Sequence, residues 1–278
     1  MVPKIVYPLL CVTIFIEQTV SMSREDLITI WNETHAAAQR YANSLPPSVK
    51  YGLGDVPKNP KSRGFRTILT VANQDCLEAA AALQAKGATV AVLNLSDDET
   101  AGGVVFNGSR AQEESLWRRT ALCVTQKQDF YPLGLEAIYS ADVPVLRGTE
   151  EEGYPWLDKI YRLNFIACPA LCCPERIESV DEPEGDLTEA DKQELADRLR
   201  LILRVAAANG NDAVVLGAMG CGAWRSPPRP VARIFRRVLP EFNGVFREIV
   251  VAILTKVKSR YHSLYHIFGD VLVTPYIV

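Results

Sequence analysis

Histidine is scarce, with three in 278 residues. The seven cysteines (Cys11, Cys76, Cys123, Cys168, Cys172, Cys173 and Cys221) are odd in number, irregular in spacing, and form no CxxC pair. A tetrahedral zinc site needs clustered Cys or His ligands, and a disulfide framework needs an even, regular set. Both are therefore disfavoured, and free cysteines in a reducing compartment are expected. His262 and His266 stand four apart with no third ligand in view, so no metal is expected. The Cys172-Cys173 pair reads as loop and core. Basic charge is not in excess: the net charge is −3, which excludes a global field that gathers nucleic acid or anionic lipid. No repeat or low-complexity tract occurs, and no apolar run is long enough to span a bilayer.

The first residues carry one signal that points elsewhere. Lys4 precedes an apolar run over 5–16, and Thr19-Val20-Ser21 offers small residues where a signal peptidase could cut. Sequons occur at Asn32, Asn94 and Asn107, and a glycan at Asn107 would block the ligand loop described below. Met22 opens a helix of its own. Residues 1–21 are thus read as a signal-like or upstream extension. The expected location is cytoplasmic or nuclear, with secretion the alternative if 1–21 are a signal peptide.

What the chain does have is a globular balance, 48% hydrophobic and 23% charged, and enough length to bury a core. Ser23 is a good N-cap for a helix over 23–43. Prolines and glycines then mark 44–65 as an irregular arm. From residue 66 strands and helices alternate. Strands are expected at 67–72, 90–95, 137–146, 162–168, 213–216 and 246–254. Helices are expected at 75–86, 112–123, 187–208, 228–239 and 258–268. The run 90–95 is apolar but for Asn94, as in a strand covered on both faces. Residues 178–187 are acidic and read as an exposed loop. The alternation implies an α/β fold with a central mixed or mostly parallel sheet, and ligands in such folds sit beyond the carboxyl ends of strands.

Two glycine-rich loops follow strands. The first runs from Thr100-Ala101-Gly102-Gly103-Val104 to Ala111-Gln112-Glu113-Glu114, and the second is Gly217-Ala218-Met219-Gly220-Cys221-Gly222-Ala223-Trp224. Each leads into a helix, whose first amides and dipole suit an anion. Together they point to a diphosphate, although neither fits the P-loop or dinucleotide fingerprint. Adjacent helical residues do not share a face, so Glu113 and Glu114 are not expected to act as a facing pair. One carboxylate is expected at the scissile oxygen, and the other at neighbouring hydroxyls. Arg118 and Arg119 read equally as phosphate contacts or as a solvated helix face.

Gly102-Gly103 followed by Ala111-Gln112-Glu113-Glu114 resembles the signature of the microbial-type poly(ADP-ribose) glycohydrolase family. Asn73-Gln74-Asp75-Cys76 resembles that family's early strand-to-helix junction, and Ser115-Leu116-Trp117-Arg118-Arg119-Thr120 its signature helix. Ile138-Tyr139-Ser140 with Asp142-Val143, residues 217–228 and residues 246–254 continue the resemblance, which covers about 66–268. It implies a macrodomain-like three-layer α/β/α fold over 66–278, preceded by the helix and arm of 22–65. It also implies hydrolysis of ribose–ribose bonds in poly(ADP-ribose) with release of ADP-ribose. By position, Glu114 would be the general acid, with Glu113 and Gln112 holding ribose hydroxyls and ordering the helix start. Gly102, Gly103 and Val104 would face diphosphate and ribose. Gly220, Cys221 and Gly222 would face the diphosphate, and Trp224 the nucleotide. Asp75 would contact the adenine end or cap its helix. The partner implied is poly(ADP-ribose) or an ADP-ribose-modified macromolecule, met by a monomer that needs no cofactor and no membrane.

Two positions depart from the family pattern. Val104 replaces a usual third glycine, and Thr100-Ala101 replaces a usual Asn-Pro. A Cβ at 104 would crowd the loop if φ there were positive. That departure keeps two alternatives open: a catalytically weakened ADP-ribose reader, and a hydrolase of mono-ADP-ribosyl adducts.

Overall fold

The computed structural model describes residues 22–180, 182–255 and 263–273. The leader-like segment, Cys11 and His262 lie outside these residues.

Helix α1 (Arg24–Ala38) begins at Ser23, whose hydroxyl accepts from the Asp26 amide while Asp26 returns the bond, a reciprocal capping box. It is shorter than the 23–43 expected, because the chain tightens into a single 3-10 turn at Gln39–Tyr41. The arm that follows holds a strand, β1 (Val49–Gly52). The other strands are β2 (Ile68–Ala72), β3 (Val90–Asn94), β4 (Glu136–Arg147), β5 (Trp156–Ala167), β6 (Arg176–Ile177), β7 (Asp186–Leu187), β8 (Ala213–Leu216) and β9 (Glu248–Ala252). The remaining helices are α2 (Cys76–Ala85), α3 (Gln112–Arg119), α4 (Glu189–Ala208), α5 (Pro228–Val238) and α6 (Leu264–Leu272).

Seven strands form one mixed sheet in the order β1-β4-β5-β3-β8-β9-β2. β1 and β5 flank β4 antiparallel, while β5, β3, β8, β9 and β2 run parallel to one another. The period-two pattern divides each central strand between two cores. Ala91, Leu93, Val214, Leu216, Ile249 and Val251 face α4, α5 and α6. Val90, Val92, Ala213, Val215 and Val250 face α2 and α3. The result is a three-layer α/β/α arrangement. The strands are apolar on both faces because both faces are covered, as read for 90–95. The acidic stretch 178–187 is not wholly irregular: β6 and β7 make a two-stranded ribbon around it.

α1 crosses to α3. Trp31 meets Trp117 with ring centroids 5.8 Å apart, and the buried Thr34 hydroxyl donates to the Arg118 carbonyl at 2.8 Å. Asn94 is fully buried, so its sequon cannot carry a glycan in the folded protein. Cys168 is buried, but Cys172 and Cys173 are exposed, so the expectation of core packing fails for that pair. Among the described residues no helix is long and apolar enough to cross a membrane.

Candidate active site

The carboxyl ends of four parallel strands open on one cavity of about 830 Å³. Gln74 and Asp75 after β2, Ser96 and Asp97 after β3, and Ile253 after β9 line it. The loop after β8 contributes Gly217, Ala218, Gly220, Gly222 and Trp224, and the start of α3 contributes Gln112, Glu113 and Glu114. The size suits a nucleotide-scale ligand.

The start of α3 differs from the starts of α1, α2 and α4. Those are capped by the side chains of Ser23, Asp75 and Thr188, whereas no side chain caps α3 at Ala111. Its first amides are therefore open to an acceptor from outside the helix.

Three consecutive side chains on this turn have different commitments. The Gln112 amide is taken by the backbone at the end of β3: its Oε1 accepts from Leu95 N at 2.9 Å, and its Nε2 donates to Leu93 O at 2.7 Å. It works as a peptide-like clip that pins α3 to the sheet. Glu113 is 3% exposed. Its Oε1 accepts from Asn94 Nδ2 at 3.1 Å and its Oε2 from Asp97 N at 2.6 Å. Burial pushes its carboxyl up to about 8, against those two bonds, and the Glu114 carboxylate adds to the rise. Glu114 is 5% exposed. Its Oε1 accepts one bond, from Val104 N at 3.3 Å, and its buried Oε2 has no partner.

Adjacency on the helix does not separate the two acids. A Cβ on Gly103 would stand 2.8 Å from Glu114 Oε1 and 3.2 Å from Glu113 Oε2, so both carboxylates border one spot. In the first turn of a helix the side chains can fold over the open end, and the face argument loses its force there.

The glycines of the first loop serve this packing. Gly102 (φ +78) lies where a Cβ would be 2.5 Å from the Trp117 indole, and Gly103 (φ +56) leaves room for the acids. Neither lies on the cavity wall, whereas Val104 does. Val104 has φ −112, so a side chain there strains nothing, and the concern over a missing third glycine does not apply to the backbone. Thr100 acts through its main chain: its N–H donates to Asp97 Oδ1 at 2.8 Å, and its carbonyl accepts from Gly103 N at 3.0 Å.

In the second loop Gly220 (φ +71) avoids the Ser226 hydroxyl, which would lie 2.5 Å from a Cβ, while Gly222 faces open space. Cys221 turns inward against the core, its thiol within 3.5 Å of the Met219 carbonyl. Trp224 is half-buried and lines the cavity.

Asp75 does cap its helix: Oδ1 accepts from Leu77 N and Glu78 N. Its other oxygen pairs with Arg119 Nη1 at 2.7 Å. Arg119 and Arg118 are 2% and 0% exposed, so the solvated-face reading fails for both. Arg118 donates to the Ser109 carbonyl at 2.6 Å and lies over the Tyr154 ring. Arg119 reaches the cavity wall beside Asp75.

A buried polar chain lies behind Glu113. Asn94 Nδ2 also donates to Gln126 Oε1 at 3.3 Å, Gln126 Nε2 donates to Ser140 Oγ at 3.1 Å, and Ser140 meets Ser48 at 2.8 Å. Asn94 Oδ1 has no partner. Turning the Asn94 and Gln126 amides over would let Asn94 Oδ1 accept a hydrogen bond from a neutral Glu113. The one sequence signal was an Asn closing an otherwise apolar strand.

Residues 15–148 match the family described as microbial-type PARG, catalytic domain. That match starts well before residue 66, where the resemblance in the sequence begins. A search of curated proteins finds no match. Among solved structures, the poly(ADP-ribose) glycohydrolase of Thermomonospora curvata superposes with a TM-score of 0.74 at 24% identity, over 89% of this chain and 100% of that one. The same protein bound to the inhibitor ADP-HPD gives 0.73, again at 24% identity, over 89% and 99%. The poly(ADP-ribose) glycohydrolase of Deinococcus radiodurans in complex with ADP-ribose gives 0.68 at 25% identity, over 84% and 96%. The resemblance read from the sequence is thus borne out: this chain carries the microbial-type PARG catalytic-domain match over residues 15–148 and shares the fold of bacterial poly(ADP-ribose) glycohydrolases.

Proposed function

We propose that the protein hydrolyses the ribose–ribose O-glycosidic bond of poly(ADP-ribose) and releases ADP-ribose, with Glu114 as general acid. One observation carries the assignment of the acid. Of Gln112, Glu113 and Glu114, the first two are engaged by the protein at both of their polar atoms, whereas Glu114 keeps a buried carboxylate oxygen without a partner. A proton donor must reach the leaving oxygen directly, and Glu114 is the group with an oxygen to offer.

In this reading the loop 217–224 and the uncapped start of α3 receive the diphosphate. Glu114 protonates the departing ribose oxygen as the C–O bond breaks. The positive charge that develops on the other ribose is met by the Glu114 carboxylate that proton transfer leaves behind and by the nearby phosphates. Water adds to that carbon and its proton leaves. Gln112 and Glu113 act as positioning residues that fix α3 against β3, and Trp224 shields the nucleotide from water.

The test is ADP-ribose release from purified polymer by the full chain, compared with Glu114→Gln. A drop of about 10²–10⁴-fold with ADP-ribose binding retained is expected. Undiminished release by the variant would remove Glu114 from the role. No release by the unaltered protein, with binding intact, would make it a reader of ADP-ribose.

A further inference from the structure

Outside the cavity, the solvent face of α5 and its lead-in carry arginines at four-residue intervals: Arg225, Arg229, Arg233 and Arg237, all exposed. That spacing sets the helical members in one stripe. The opposite face is apolar and packed, with Val231, Ile234, Phe235 and Val238 buried. No acid stands in the first turn of α5, where a cation opposes the helix dipole unless an anion lies near. Glu182, between β6 and β7, supplies one. It forms an ion pair with Arg233 and lies 3.9 Å from Arg229, so a single carboxylate serves two guanidiniums. Among the described residues no carboxylate lies within ion-pair distance of Arg225 or Arg237, and Glu241 near Arg237 is held by Arg200. Arg176 extends the patch, donating to the Arg225 carbonyl. In a chain of net charge −3, this concentration of positive charge is local.

Along the chain the stripe begins where the cavity wall ends. Trp224 lines the cavity wall, and Arg225 is the next residue. From Arg229 to Arg237 the helix advances about 12 Å, enough to meet phosphates beyond the unit that the cavity holds. Guanidinium groups take phosphate oxygens in pairs and stack on bases.

We propose that this arginine face is a second subsite for the same polymer, holding the diphosphates of units next to the one in the cavity. The inference rests on the reading above that the cavity takes ADP-ribose. Its effect is selective: long polymer binds more tightly than ADP-ribose, by a margin that salt erodes.

The experiment compares Arg225→Asn/Arg237→Gln with its parent, both as the full chain carrying Glu114→Gln. Arg225→Asn suits the left-handed φ of +57 at that position, and neither residue holds a carboxylate that would be stranded. Binding of ADP-ribose, long poly(ADP-ribose) and duplex DNA is measured across a salt series. The double variant is expected to keep ADP-ribose binding, lose about three- to tenfold in polymer affinity, and show a polymer salt slope shallower by about 1.4. Unchanged polymer affinity and slope would overturn the inference, as would an equal loss for ADP-ribose. Duplex DNA bound as tightly as polymer would assign the face to nucleic acid instead. If ADP-ribose binds neither protein, the reading of the cavity itself fails, a result distinct from loss of the length preference.

Discussion

Glu113 makes a prediction about stability that needs no substrate. Its carboxyl is raised from 4.5 to about 8, chiefly by burial. The folded protein therefore holds this proton more tightly than the unfolded chain does. The contribution is fully present below about pH 4.5 and is lost as pH rises through about 8. A rise of that size corresponds to roughly 5 kcal/mol, an upper figure, lost at about 1.4 kcal/mol per pH unit across the window. Glu113→Gln removes the titration while keeping the shape, and the neighbouring amides of Asn94 and Gln126 can turn over to meet the new donor. Urea unfolding midpoints at about pH 5 and about pH 8.5 would measure both proteins. The variant is expected to gain several kcal/mol relative to the unaltered protein on going to the higher pH. An equal difference at both pH values would refute the reasoning. It would mean that the bonds from Asp97 N–H and Asn94 outweigh desolvation and hold Glu113 ionised.

Other consequences follow from the loop and the helix starts. Gly103→Ala would push a methyl group to 2.8 Å from Glu114 Oε1 at φ +56. Polymer hydrolysis is expected to fall at least tenfold, with about 1–3 kcal/mol lost from unfolding stability by the strained backbone. Val104→Gly is expected to bring no gain in turnover, because φ there is already −112, and to cost about 0.5–1 kcal/mol in denaturant unfolding. Asp75→Ala would remove the α2 cap and strand the buried Arg119 cation, lowering stability by about 3–5 kcal/mol as read by thermal unfolding.

The elements legible in the sequence are those whose cause is local. Ser23, Asp75 and Thr188 cap helices through side chains within three residues, and the strand at 90–94, apolar but for Asn94, is buried at every position. β1 escaped because it sits in a proline- and glycine-rich segment, and as an edge strand it is held by ladder bonds to β4, which leave no apolar signature. The first half of β5 escaped for a related reason. Its residues 156–160 are largely exposed, and the partner that makes them a strand is the return of β4. The site divides along the same line. Residue types and a resemblance pick out Gln112, Glu113 and Glu114 as the candidate group. Which of the three keeps an oxygen for a ligand depends on partners 16 to 19 residues away in β3 and its following loop. Those partners face α3 because β3 lies in the sheet beside it. A local motif can therefore name the chemical groups of such a site, while the division of work among them is set by tertiary hydrogen bonds that remove two of the three from contention.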